Sequence, residues 1–156
     1  MKPFHFNLEA VRTLRQRQEQ KALEQYAQTL LARQQAVERL ESAQRELDAA
    51  SLELADRLET GCAASQISQA NDYQRVVIKR RDESMIALGA AERRVNASLQ
   101  AMLAARQQRE IVDKFFDKQK ATHQRDLARS EQKMLDDLAG RRGNSLFAWN
   151  ADPHLS

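Results

Sequence analysis

Proline is missing from the interior of this chain. The two prolines, Pro3 and Pro153, stand near its ends. An interior proline costs a helix roughly 3 kcal/mol, so nothing between them forbids helix. Glycine is nearly as scarce. Gly61, Gly89, Gly140 and Gly143 are the only four, too scattered to build a phosphate-cradling loop. Aromatic residues make up 5% of the chain, which excludes a thick globular core. One cysteine, Cys62, excludes a disulfide framework or a CxxC metal site within the chain. None of the histidines, His5, His123 and His154, has another at i+3 or i+4, so no helical metal pair exists. No apolar run approaches the ~20 residues needed to span a bilayer. The opening Met1-Lys2-Pro3-Phe4-His5-Phe6 lacks the apolar stretch of a signal peptide, so the expected location is cytoplasmic.

Charge is abundant but of mixed sign. Charged residues are 30% of the chain and the formal net charge is only +3. Residues 1–60 hold 9 basic and 10 acidic side chains, with no basic block on which nucleic acid could settle. Acidic neighbours such as Asp82-Glu83 and Asp136-Asp137 point to different helix faces and do not form a catalytic pair. No catalytic residue, cofactor site or metal site is expected, and an enzyme is not.

What is present is helix-forming and periodic. Ala, Arg, Gln, Glu and Leu dominate. From about residue 6 to 60, apolar residues recur every seven positions: Leu23, Leu30, Val37, then the polar Gln44 and Ser51, then Leu58. A companion series runs Tyr26, Arg33, Leu40, Leu47, Leu54. Together they read as a coiled-coil seam. A second segment, about 66–140, carries Ile67, Ile78, Met85, Leu88, Val95, Leu99, Met102, Val112, Phe115 and Phe116. Gly61 marks the turn between them, within about 60–66. Gly140 and Gly143 bracket Arg141-Arg142 and read as a helix C-terminus with cations in its last turn.

The two seams match in an antiparallel hairpin, where opposed residue numbers have a constant sum. Leu58 falls opposite Ile67, Leu47 opposite Ile78, Leu40 opposite Met85, Val37 opposite Leu88 and Leu30 opposite Val95. Each of these pairs sums to 125, which centres the hairpin on the predicted turn. The expected fold is all-α: two long helices in an antiparallel coiled-coil hairpin over residues 1–142, the second helix longer, then a flexible tail over 143–156. The register also gathers Phe4, Phe6, Leu8, Val11, Phe115 and Phe116 into one closing cluster. His123 reads as a solvated surface residue. The second helix's partner runs out near Ala121, leaving about 122–139 unpaired. That overhang carries Leu127, Met134, Leu135 and Leu138 close to one face, a candidate binding stripe. Self-association is the competing use of it. Phe147 and Trp149 fall in the tail.

Two stretches resemble the FliJ family of the bacterial flagellar type III export apparatus. The opening Phe4-His5-Phe6-Asn7-Leu8-Glu9, followed by Leu14-Arg15 and then Glu19, is similar to the family's aromatic-x-aromatic-x-Leu-Glu start. Arg129-Ser130-Glu131-Gln132-Lys133-Met134-Leu135-Asp136-Asp137-Leu138-Ala139 is similar to its closing run and is the more specific match. The resemblance implies a non-enzymatic, stalk-like coiled coil docked in the hexameric flagellar export ATPase. It also implies contact with the cytoplasmic domain of the export gate and escort of export chaperones. Such a protein would be peripheral at the inner membrane through its partners only, and would not bind nucleic acid. Carried over residue by residue, the ATPase contact falls on Arg129, Glu131, Gln132, Lys133, Asp136, Asp137 and Leu138. A possible gate contact falls on Tyr73, Gln74, Val76 and Arg80. The YscO family of virulence type III secretion shares the architecture, and a generic coiled-coil scaffold remains the alternative.

Overall fold

The computed structural model describes residues 2–149, with side chains through Asn144. Among them the only regular elements are two helices, α1 (Glu9–Thr60) and α2 (Ala64–Trp149), packed antiparallel as a hairpin with α2 the longer. The expected all-α hairpin is therefore the observed fold. The connection is three residues long. Gly61 has φ +78°, a left-handed conformation that a glycine adopts without a Cβ penalty. Its N–H closes α1 by donating to the Arg57 carbonyl at 3.1 Å, and the Ala63 carbonyl accepts the first bonds of α2 from Gln66 and Ile67.

The helical pair divides into two compact units, Arg15–Gln108 and the combination of Met1–Leu14 with Arg109–Ser156. In the first unit the seam of α2 follows an unbroken 3-4 repeat. Ile67, Gln74, Arg81, Leu88, Val95 and Met102 alternate with Ala70, Val77, Ser84, Ala91, Ser98 and Ala105, and all are buried or half-buried. Val77 is wholly shielded from solvent. A strict seven-residue repeat of this kind imposes left-handed supercoiling.

The facing seam of α1 differs from the expectation by one residue in one of its two series. Tyr26, Leu40, Leu47 and Leu54 line it as expected. The other series is Ala22, Thr29, Ala36, Ala43 and Ala50, with Ala36, Ala43 and Ala50 buried. The expected series Leu23, Leu30, Val37, Gln44, Ser51, Leu58 lies one position further round. Leu23 and Leu58 are 46% and 58% exposed and Gln44 is exposed, while Leu30, Val37 and Ser51 stay half-buried at the edge of the seam. Alanine accounts for this rotation. Small side chains at the contact let two backbones approach, so the alanine row takes the seam and the larger leucines cover its edge.

Polar pairs mark the register across the seam. Gln74 Nε2 donates to Ser51 Oγ at 2.9 Å, and Thr29 and Ser98 share a hydroxyl bond of 2.7 Å. The first pair keeps the expected sum of 125 and the second departs from it by two. A polar pair in an apolar seam penalises slipped registers, which would leave its members unbonded.

In the second unit an extended N-terminal segment lies on α2. Phe6, 4% exposed, meets Phe116 edge-on at 5.1 Å and Phe115 at 6.1 Å. Phe4 also packs edge-on against Phe116, at 5.6 Å. The expected aromatic cluster forms, although Leu8 and Phe115 remain 39% and 42% exposed at its margin. His123 differs from expectation. It is half-buried, with its ring 5.5 Å from Phe4 and Nε2 3.4 Å from the Lys2 carbonyl, because the extended segment reaches past the start of α1. Arg12 stacks over the Phe116 ring at 4.1 Å while its Nε bonds Asp113 at 3.1 Å. Arg109 completes the group with a 2.7 Å bond to the other Asp113 oxygen.

The helix does not stop at about 140. Gly140 and Gly143 lie inside α2 with no positive φ, and both have open space where a Cβ would stand. Each weakens the helix by about 1 kcal/mol relative to alanine without ending it. Residues 150–156 of the expected tail, and the side chains of Phe147 and Trp149, lie outside the described residues.

Candidate functional site

The two candidate surfaces belong to different units. The first is the overhang of α2. Beyond His123 only Leu127 is half-buried as far as Arg142, and every other side chain is exposed. Met134, Leu135 and Leu138 are 65%, 60% and 52% exposed. At 100° per residue, Leu127, Met134 and Leu138 fall within a narrow stripe and Leu135 flanks it. Of the motif residues, Leu138 belongs to that stripe and Arg129, Glu131, Gln132, Lys133, Asp136 and Asp137 lie around it, all of them exposed. Gln132 Nε2 donates to Asp136 Oδ1 at 2.9 Å, one turn on. Ser130 Oγ caps back to the Leu127 carbonyl at 2.8 Å. The surface offers apolar side chains among both signs of charge, which suits docking on a protein.

The second surface is a flank of the Arg15–Gln108 unit. Tyr73 and Arg80 sit seven residues apart on α2 and converge on one carboxylate of α1. The Tyr73 hydroxyl donates to Glu46 Oε1 at 2.9 Å, and Arg80 Nη1 reaches both Glu46 oxygens, at 2.9 and 3.1 Å. The Tyr73 hydrogen bond, with help from Arg80, holds the Glu46 carboxyl below its ordinary range. Donation to Glu46 raises the Tyr73 hydroxyl in turn. The other two candidates diverge. Gln74 turns into the seam to bond Ser51, whereas Val76, three residues after Tyr73 and four before Arg80, is 52% exposed beside them. Sequence reasoning missed Glu46. Its signal was present, since in an antiparallel pair of this register residue 46 lies beside residues 79 and 80.

A groove in the other unit is lined by Phe4, His5, Phe115, Lys118, Thr122 and His123, among others. No group of three or more His, Cys, Asp or Glu side chains able to hold a metal occurs among the described residues. No helix among them is long and apolar enough to cross a membrane.

The model of the flagellar FliJ protein family matches residues 4–145. The chain belongs to the FliJ family. The match runs from Phe4, the first ring of the aromatic cluster, through the whole exposed overhang. FliJ-family membership makes the protein a component of flagellar type III export. No curated protein and no solved structure matches the chain.

Proposed function

We propose that this FliJ-family protein is a stalk that docks its α2 overhang in the hexameric flagellar export ATPase. The observation carrying this reading is the exposed Met134, Leu135 and Leu138 stripe set inside the family's closing motif. Arg129, Glu131, Gln132, Lys133, Asp136, Asp137 and Leu138 make the contact. An apolar stripe at the end of a helix inserts into a ring without needing a pocket of its own. The flanking charges set orientation and the rate of encounter. Chemistry belongs to the ATPase; the stalk acts by occupancy, promoting ring assembly and coupling it to export.

The flank formed by Tyr73 and Arg80 around Glu46 faces the cytoplasmic domain of the export gate, with Val76 as an apolar contact. Gln74 holds register and contributes only indirectly. Export chaperones are escorted in the same assembly, and the protein is peripheral at the inner membrane through these partners.

The test is a pull-down and ATPase assay with the cognate export ATPase. The intact chain is compared with a Lys133→Glu, Met134→Ala, Leu138→Ala variant, both checked by circular dichroism. The intact chain binds and stimulates, and the folded variant does neither. Equal binding by both proteins rules out the overhang as the contact.

A further inference from the structure

We infer that the α2 overhang also binds a second copy of itself, antiparallel, so that two chains pair end to end through residues 130–142. The stripe that stands exposed has a self-complementary order. Its central positions, read along the helix, are Glu131, Met134, Leu138 and Arg141, with spacings of three, four and three. That is the spacing of a coiled-coil seam, and an antiparallel partner presents the same spacing in reverse. When Met134 lies opposite Leu138 of the other copy, the two-fold axis makes a second Leu138–Met134 layer beside the first. The next layers outward then bring Glu131 of each copy opposite Arg141 of the other. Apolar residues therefore meet apolar residues at the centre, with an acid opposite a base on both sides.

Among the described residues nothing on the same chain pairs with Glu131 or Arg141. Glu131, Met134, Leu138 and Arg141 are all exposed, and Glu131 and Arg141 are about 15 Å apart along one helix, too far to pair within it. Gly140 and Gly143 fall on the opposite face, where their missing side chains leave no hole in the contact. A two-helix contact of this length buries less than the about 1,200 Å² of a standard stable interface. The pairing is accordingly reversible, with a dissociation constant on the order of 100 μM. The stripe is the one assigned to the ATPase, so the two occupants exclude each other. Self-pairing is measured on the chain alone and does not depend on that assignment.

The experiment is analytical ultracentrifugation of the full chain from about 10 μM to about 1 mM. The natural sequence, Glu131→Arg, Arg141→Glu and the double exchange are compared, each checked for helicity. The natural chain shifts from monomer to dimer. Each single change weakens dimerisation about tenfold, because the symmetry turns one substitution into two like-charge contacts. The double exchange restores affinity to within about twofold, which no effect within one helix reproduces at that separation. Register is read separately in a Cys62→Ser background by mixing Met134→Cys with Leu138→Cys chains and oxidising. The mixed 134–138 cross-link dominates. A natural chain that stays monomeric at the highest concentration overturns the proposal. So does a double exchange as weak as the singles, or a dominant 134–134 cross-link.

Discussion

Truncating Leu47 and Leu58 to alanine, one at a time, separates the seam observed in α1 from the one suggested by its leucines. Both stand in seven-residue series, but Leu47 is 8% exposed and Leu58 is 58% exposed. Full burial of a leucine is worth about 1.5–3 kcal/mol, and buried Leu→Ala changes cost about 2–5 kcal/mol once the cavity is included. A two-helix layer has solvent close on both sides, so the gap left by Leu47 collapses in part. The expected loss is about 2.5 kcal/mol. Leu58 retains less than half of its side chain out of water, and alanine is the better helix former. Its expected loss is about 0.5 kcal/mol. At about 2–4 °C per kcal/mol for a chain of this size, Tm falls by about 5–10 °C in the first variant and by at most about 2 °C in the second. Urea titrations followed by circular dichroism measure both losses, and unchanged m-values confirm that only stability moved. Equal losses would refute the alanine seam and return Leu58 to the interface.

Three further outcomes are expected. Phe6→Ala frees the N-terminal segment from Phe115 and Phe116, a loss of about 3 kcal/mol, seen as faster amide exchange at residues 9–14 while residues 36–50 keep their protection. At Asp113 burial alone would raise the carboxyl, but the bonds from Arg109 and Arg12 outweigh it and hold it below its ordinary 3.8. A depressed carboxyl stabilises the fold above its unfolded pKa. That contribution is lost as pH falls below about 4, and an Asp113→Asn variant shows a flatter stability curve there. Replacing Gly140 and Gly143 by alanine, where nothing lies within 4 Å of either new Cβ, raises helicity and stabilises the overhang by about 1 kcal/mol each. Unchanged ellipticity would show that α2 does not continue through them.

Much of this architecture was legible in residue order because few forces act in a two-helix pair. Absence of interior proline, one left-handed glycine and matched heptads suffice to place the turn and the pairing. Gln74 with Ser51 and Arg12 with Asp113 both keep the arithmetic of opposed positions. Hydrophobicity alone points to the wrong row of α1. Leu23 and Leu58 are more apolar than Ala22 and Ala43, yet closeness of approach, set by volume, decides which row is central. His123 was misjudged for a similar reason. Its sequence neighbours are polar, and only the extended segment from Lys2 to Phe6 brings Phe4 against it. The overhang was legible as an unpaired stripe, whereas the convergence on Glu46 required knowing which side chains share a flank.

The three-residue turn has a consequence for length. With so little slack at Gly61–Ala63, a residue added to or removed from one helix alone displaces every opposed pair beyond it. Reach can change only in matched pieces, seven residues from α1 together with the seven they face on α2. Removing 33–39 with 86–92, for example, shortens the arm by about 10 Å and leaves the remaining partners opposite each other. Homologous arms that differ in extent are therefore expected to differ by paired heptads, and an engineered spacer series can be cut from this chain by the same rule.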